Sequence, residues 1–143
     1  MNINFFQPLH PRVVHFPIAL FIGAFIFDLL SWVFKKEALH RTAWHLYLAA
    51  VALTPLVVKT GLWEQQALAL NHPVLSTHKT FALLTMWGSL IGLPFLWYLR
   101  RSDFKKFRTV FFVFLLTMSV TVGAAAHYGG VMVYRYGVGV DSP

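Results

Sequence analysis

Cysteine is absent from the 143 residues. Its absence excludes disulfides, thiolate zinc sites, cysteine-held iron–sulfur clusters and covalent c-type haem attachment. Charge is nearly as scarce: Asp, Glu, Lys and Arg make up 12% of the chain, about half the share of a typical soluble domain. No phosphate-binding loop is present, and no nucleophile is set beside a base, so an independent hydrolase or nucleotide enzyme is not expected. No apolar run carries a continuous polar stripe, which argues against a channel. No linker-like stretch divides the chain, so the reading is one domain, residues 1–143.

What the chain has instead is apolar surface. Hydrophobic residues account for 57%, with 14 Phe, and the mean hydropathy is +0.61. Four apolar runs, at about 13–34, 43–63, 80–99 and 109–128, are each long enough to cross a hydrocarbon core of roughly 30 Å at about 1.5 Å per residue. The expected fold is an all-α integral membrane protein, a four-helix up-down bundle. Pro11 suits a first helical turn, where its missing N–H costs nothing. Pro55 interrupts the second run and should free the carbonyl of Val51. A polar stretch containing Gln65, Gln66, Asn71, Pro73 and Ser76 separates the second and third runs. The N-terminus lacks a basic region before its long apolar run, which reads as a retained span and not a cleaved signal.

The formal net charge of +7 does not point to nucleic acid, because it is concentrated in short connections. Lys35, Lys36 and Arg41 lie in the first; Arg100, Arg101, Lys105, Lys106 and Arg108 lie in the third. The opposite side offers Arg12, Lys79 and Arg135. By the positive-inside rule the two basic connections are cytoplasmic, and both termini are periplasmic in a bacterial inner membrane. Trp32, Trp44 and Trp97 fall at the inner boundary and Trp63 at the outer, as an aromatic belt requires. The lipid bilayer is the first partner.

That topology gathers five of the seven histidines at one face: His10, His15, His72, His78 and His127. Ligand-type residues inside spans are costly and mark functional sites. Singly, His10, His40, His45 and His72 read as interfacial residues; His15, His78 and His127 together suggest a shared site. A faint repeat, His15-Phe-Pro-Ile-Ala19-Leu20 against His78-Lys-Thr-Phe-Ala82-Leu83, suggests two hairpins related by a pseudo-two-fold axis along the membrane normal. His15 and His78 would then face each other across the bundle core, where cofactors are held by residues on facing helices. They are the expected axial pair of a b-type haem, with His127 an alternative ligand and His10 at its edge. Gly123, Ala124, Ala125 and Ala126, then Gly129 and Gly130, leave room for a haem plane, although small residues also serve close helix packing. Lys59 either snorkels to the surface or neutralises a haem propionate or quinone oxygen. Asp28, near the inner boundary, is expected to pair with Lys35 or another cation of that end.

The opening Leu9-His10-Pro11-Arg-Val-Val14-His15-Phe16-Pro17-Ile18-Ala19-Leu20 and the closing Gly129-Gly130-Val-Met-Val133-Tyr134-Arg-Tyr-Gly137-Val-Gly139-Val140 resemble the hallmarks of a bacterial membrane family catalogued as domain of unknown function 2231. The resemblance covers nearly the whole chain. Relatives occur alone or fused to Rieske-type or cytochrome c-type modules, which implies a respiratory or redox setting. Many members carry another residue where this chain has His127, which leaves His15 and His78 as the stronger pair.

Three functions follow as expectations. The first is a small cytochrome b-like subunit that passes electrons between a quinol and a redox partner, alone or within a larger respiratory complex. The second is a cofactor-free anchor or assembly subunit, its aromatic lipid face packing against larger subunits. The third is a divalent-metal-binding membrane protein, since Zn²⁺ and Cu²⁺ accept imidazole nitrogen. An electron-transfer or anchor subunit is expected over an independent enzyme.

Overall fold

A computed structural model describes residues 9–67 and 72–137. Five helices account for nearly all of them: α1 (His10–Val13), α2 (His15–Phe34), α3 (Glu37–Ala67), α4 (Pro73–Ser102) and α5 (Phe104–Tyr136). With α1 and α2 running as one segment, four stretches are long and apolar enough to cross a membrane: His10–Phe34, Glu37–Gln66, Pro73–Ser102 and Phe104–Tyr136. Hydrocarbon offers no partner to a free N–H or C=O, so a spanning segment must satisfy its own backbone, and a helix does so. Asn71, and the end of the closing signature from Val138 onward, lie outside the described residues.

The helices run well past the apolar stretches that define them. About 20 residues suffice to span the core, whereas α3 has 31 residues and α5 has 33. Helix continues into the polar boundary until a specific residue ends it. Lys35 stops α2 in the left-handed conformation at φ 54°. Asp103 ends α4 and starts α5, its carboxylate accepting the N–H of Lys106 at 3.0 Å. His72 caps α4 through Nδ1, which accepts the N–H of Val74 at 3.2 Å, with Pro73 as the first helical residue. Gly137, at φ 62°, ends α5. The two basic connections are therefore only a residue or two long, and most of their cations stand on helix ends. Pro55 lies inside a continuous α3.

α2 packs on α3 and α4 on α5 as two hairpins, and the ring closes through α2 beside α5 and α3 beside α4. α2 and α4 are thus diagonal, as in an up-down bundle. Ser119 Oγ donates to the Phe21 carbonyl at 3.3 Å, and Tyr47 OH donates to the Ser89 carbonyl at 2.9 Å. Each bond links one hairpin to the other. Tyr47, Trp44, Phe107 and Phe111 form the aromatic heart of the core, with ring centroids 5.2–5.6 Å apart. Phe16, Leu56, Trp87, Ile91, Phe95 and Val120 instead face outward. Large apolar side chains over the whole flank are what a lipid-facing surface needs and a water-facing one avoids.

Candidate functional site

At the end of the bundle where α1 begins, two imidazoles meet. The His10 and His78 ring centroids are 6.2 Å apart, with their planes at 81°. Each ring is held the same way. His10 Nδ1 lies 3.0 Å from the Val57 carbonyl and 3.1 Å from Thr60 Oγ1. His78 Nδ1 lies 2.7 Å from the Ala125 carbonyl. A carbonyl only accepts, so each Nδ1 carries the proton and donates it. In the neutral imidazole that leaves the Nε2 lone pair free, which is the tautomer a metal-ligating histidine adopts.

The backbone is shaped around these rings. Pro11 stands in the first turn of α1, where Leu9 supplies no side-chain cap. The N–H of His10 donates instead to Glu64 Oε1 at 2.8 Å, so a carboxylate from α3 caps α1. The His10 ring lies against Gly61, where a Cβ would sit 2.9 Å from Cε1; His78 lies against Gly129, where a Cβ would sit 3.4 Å from Cε1. His78, Ala125 and Gly129 each stand 68 positions after His10, Val57 and Gly61 (10 to 78, 57 to 125, 61 to 129), and both histidine-to-carbonyl bonds span 47 residues. At these three positions the two hairpins share one register, and its equivalent histidines meet each other.

That register differs from the His15–His78 match. His15 is exposed at the start of α2. It follows His10 by five residues, roughly 140° around a helix that turns about 100° per residue, so only one of the two reaches the His78 side. His127 is exposed on α5, its ring 5.4 Å from that of Tyr128. It lines a surface groove of about 480 Å³ with Gly130, Tyr134 and Arg135. Lys59 is exposed, with Nζ 4.7 Å over the Trp63 ring. His72 caps α4 and rests 4.3 Å from the Tyr136 ring. The structure therefore brings His10 and His78 together, and stands His15, His127 and Lys59 around the outside of the same end.

A second polar cluster lies at the other end. Asp28 is fully buried and His40 is 2% exposed. Asp28 Oδ1 and His40 Nδ1 are 2.5 Å apart, so the partner of Asp28 is His40 and not Lys35, which ends α2 as an exposed left-handed cap. Ser31 Oγ donates to the Asp28 carbonyl at 2.6 Å and accepts from Arg108 Nη2 at 3.0 Å. Arg108 Nη1 reaches Glu37 Oε2 at 3.1 Å. The rings of Phe104, Phe107 and Phe111 surround His40 edge-on, at 5.6–5.8 Å. Sequence reasoning treated His40 as interfacial. Asp28 and Ser31, one turn apart inside an apolar run, were the signal of a buried polar face.

Among the described residues, no group of three or more His, Asp or Glu is placed to hold a metal ion. The model of a family described as predicted membrane protein (DUF2231) matches residues 6–142. No curated protein and no solved structure matches the chain.

Proposed function

The chain belongs to the DUF2231 family of predicted membrane proteins, and from that premise we propose that it is a small cytochrome b-like subunit with haem b held between His10 and His78. The observation that carries this reading is the His10–His78 pair itself. The two rings are 6.2 Å apart and each commits Nδ1 to a backbone carbonyl, so His10 and His78 would hold the iron of one haem through Nε2. Their number also favours haem over a bare divalent ion. A porphyrin supplies four ligands and asks the protein for one or two, whereas zinc needs three or four from the chain.

Bound there, haem supplies one-electron exchange. The protein's part is orientation and tuning. The Val57 and Ala125 carbonyls fix the ring planes and, by accepting from Nδ1–H, make each Nε2 a better donor. Gly61 and Gly129 let the ring edges approach α3 and α5 closely. The polar residues around this end, among them His15, His127, Lys59 and Arg135, suit propionates, a quinone headgroup or a docked redox protein. On this reading the site faces the periplasm of a bacterial inner membrane, and electrons pass between a quinol and a partner there, alone or within a larger complex.

The test is an absorption spectrum of the detergent-purified protein from haem-replete cells, oxidised and dithionite-reduced, with pyridine haemochrome quantitation. The expected result is a low-spin b-type spectrum that disappears in His10→Ala and His78→Ala and survives in His15→Ala. A featureless spectrum overturns the proposal in favour of the cofactor-free anchor, and retained metal without porphyrin overturns it in favour of a divalent-ion site.

A further inference from the structure

The cluster around Asp28 and His40 takes no part in the imidazole pair at the opposite end. We propose that Asp28 and His40 form a proton-binding site, loaded from the end of the bundle that carries the basic connections. Three of the cluster's polar atoms are buried without a hydrogen-bond partner among the described residues: Asp28 Oδ2, His40 Nε2 and Arg108 Nε. Buried polar groups are almost always satisfied, and an internal water is the usual partner when protein atoms are not. These three atoms are two acceptors and one donor when His40 is neutral, a set that internal water is able to satisfy. Nε2 and Oδ2 are both free to take a proton without breaking the Nδ1–Oδ1 contact, and the imidazole nitrogen is the more basic of the two.

Charge balance gives the direction. The groups facing the dyad are Ser31 from α2, Glu37 from α3 and Arg108 from α5, whose guanidinium also stacks 5.0 Å over Trp32. From α4, Arg100 is stacked 4.9 Å over Trp44, and Lys35, Lys36, Arg41, Lys105 and Lys106 are exposed. With His40 neutral, Asp28, Glu37 and Arg108 sum to one excess negative charge; a proton on Nε2 brings the hydrogen-bonded cluster to neutrality. A desolvated cluster is most favourable when its charges are paired. The step forms one N–H bond and breaks one O–H bond of hydronium or a buffer acid, and no electron moves. A polar chain already reaches inward, from the half-exposed Glu37 through Arg108 to Ser31 and the Asp28 backbone.

Nitrogen-15 histidine spectra of the full chain in lipid nanodiscs, recorded over a pH series, test this. One histidine signal, identified by its loss in His40→Gln, should pass reversibly between one-proton imidazole and two-proton imidazolium at constant helix content. At a fixed pH within that transition, Glu37→Gln removes the excess negative charge at the surface and should lower the imidazolium fraction several-fold. A purely structural Asp28–His40 link predicts a His40 signal in one protonation state over the whole range in which the bundle stays folded, and that result overturns the proposal. So does an imidazolium fraction unchanged by Glu37→Gln. A transition that follows sodium against choline at constant pH overturns it in favour of a hard-cation site.

Discussion

One added methyl group should have opposite effects at the two glycines against which the imidazoles rest. In Gly61→Ala the new Cβ would come 2.9 Å from Cε1 of His10, and Nδ1 and Nε2 would stand at 3.1 and 3.2 Å. The whole ring edge must shift, and with it the bond to the Val57 carbonyl. Alanine ordinarily improves a helix by about 0.5–1 kcal/mol over glycine, while overpacking costs about 1–3 kcal/mol, so the net effect should be destabilising. In Gly129→Ala the new contacts with His78 are 3.4 Å, close to ordinary packing, and the helix gain should prevail. Thermal unfolding in detergent should therefore show Gly61→Ala below the parent protein and Gly129→Ala at or above it. Equal losses at both positions would mean that the rings are not seated as described. On the proposed haem reading, the same asymmetry should appear in the absorption spectrum, with Gly61→Ala the more perturbed.

Between helices, the Asp28–His40 contact ties α2 to α3, and Arg108 brings in α5 through Ser31 and Glu37. Removing one partner of a buried hydrogen-bonded pair that includes a charge leaves the other unsatisfied, at up to about 3–5 kcal/mol. Asp28→Ala and His40→Ala should each fall in that range by denaturant unfolding, and the double variant should cost clearly less than their sum. Strict additivity would show that the two side chains are not coupled. Gly92 makes a comparable point for α4 and α5, because a Cβ there would lie 2.6 Å from the Phe114 ring; Gly92→Ala should cost about 1–3 kcal/mol. At this scale the sequence was only partly readable. Hydropathy located four spans, since the apolar stretch is what lipid selects. It could not locate helix ends, which are set by Lys35, Asp103, His72 and Gly137 acting on a backbone that stays helical in the polar boundary. The imidazole pair escaped for a different reason. Ala-Leu after each histidine is a match of common residues, and it set the repeat five positions off. The informative match was a histidine followed 51 positions later by a glycine (10 to 61, 78 to 129), and its meaning lies in contacts between helices that no local pattern displays.

For the molecule as a whole, four spans put His10 and Tyr136 at one end, and the bundle is polarised from end to end. Eight of its 12 Lys and Arg, namely Lys35, Lys36, Arg41, Arg100, Arg101, Lys105, Lys106 and Arg108, stand at the end opposite the imidazole pair. That bias orients a membrane protein with the basic end in the cytoplasm, so the dyad would load protons from the cytoplasm and the imidazole pair would face the periplasm. The absence of cysteine makes this directly measurable. Ser102 and Tyr136 are exposed and lie at opposite ends of the α4–α5 hairpin. Tyr136→Cys should react with a membrane-impermeant maleimide in intact spheroplasts, and Ser102→Cys only after permeabilisation. The reverse pattern would put the imidazole pair on the cytoplasmic side. A periplasmic electron partner would then be ruled out while the geometry of the site stood unchanged. Labelling of both positions in intact cells would mean that α5 does not cross the bilayer, against the four-span bundle itself.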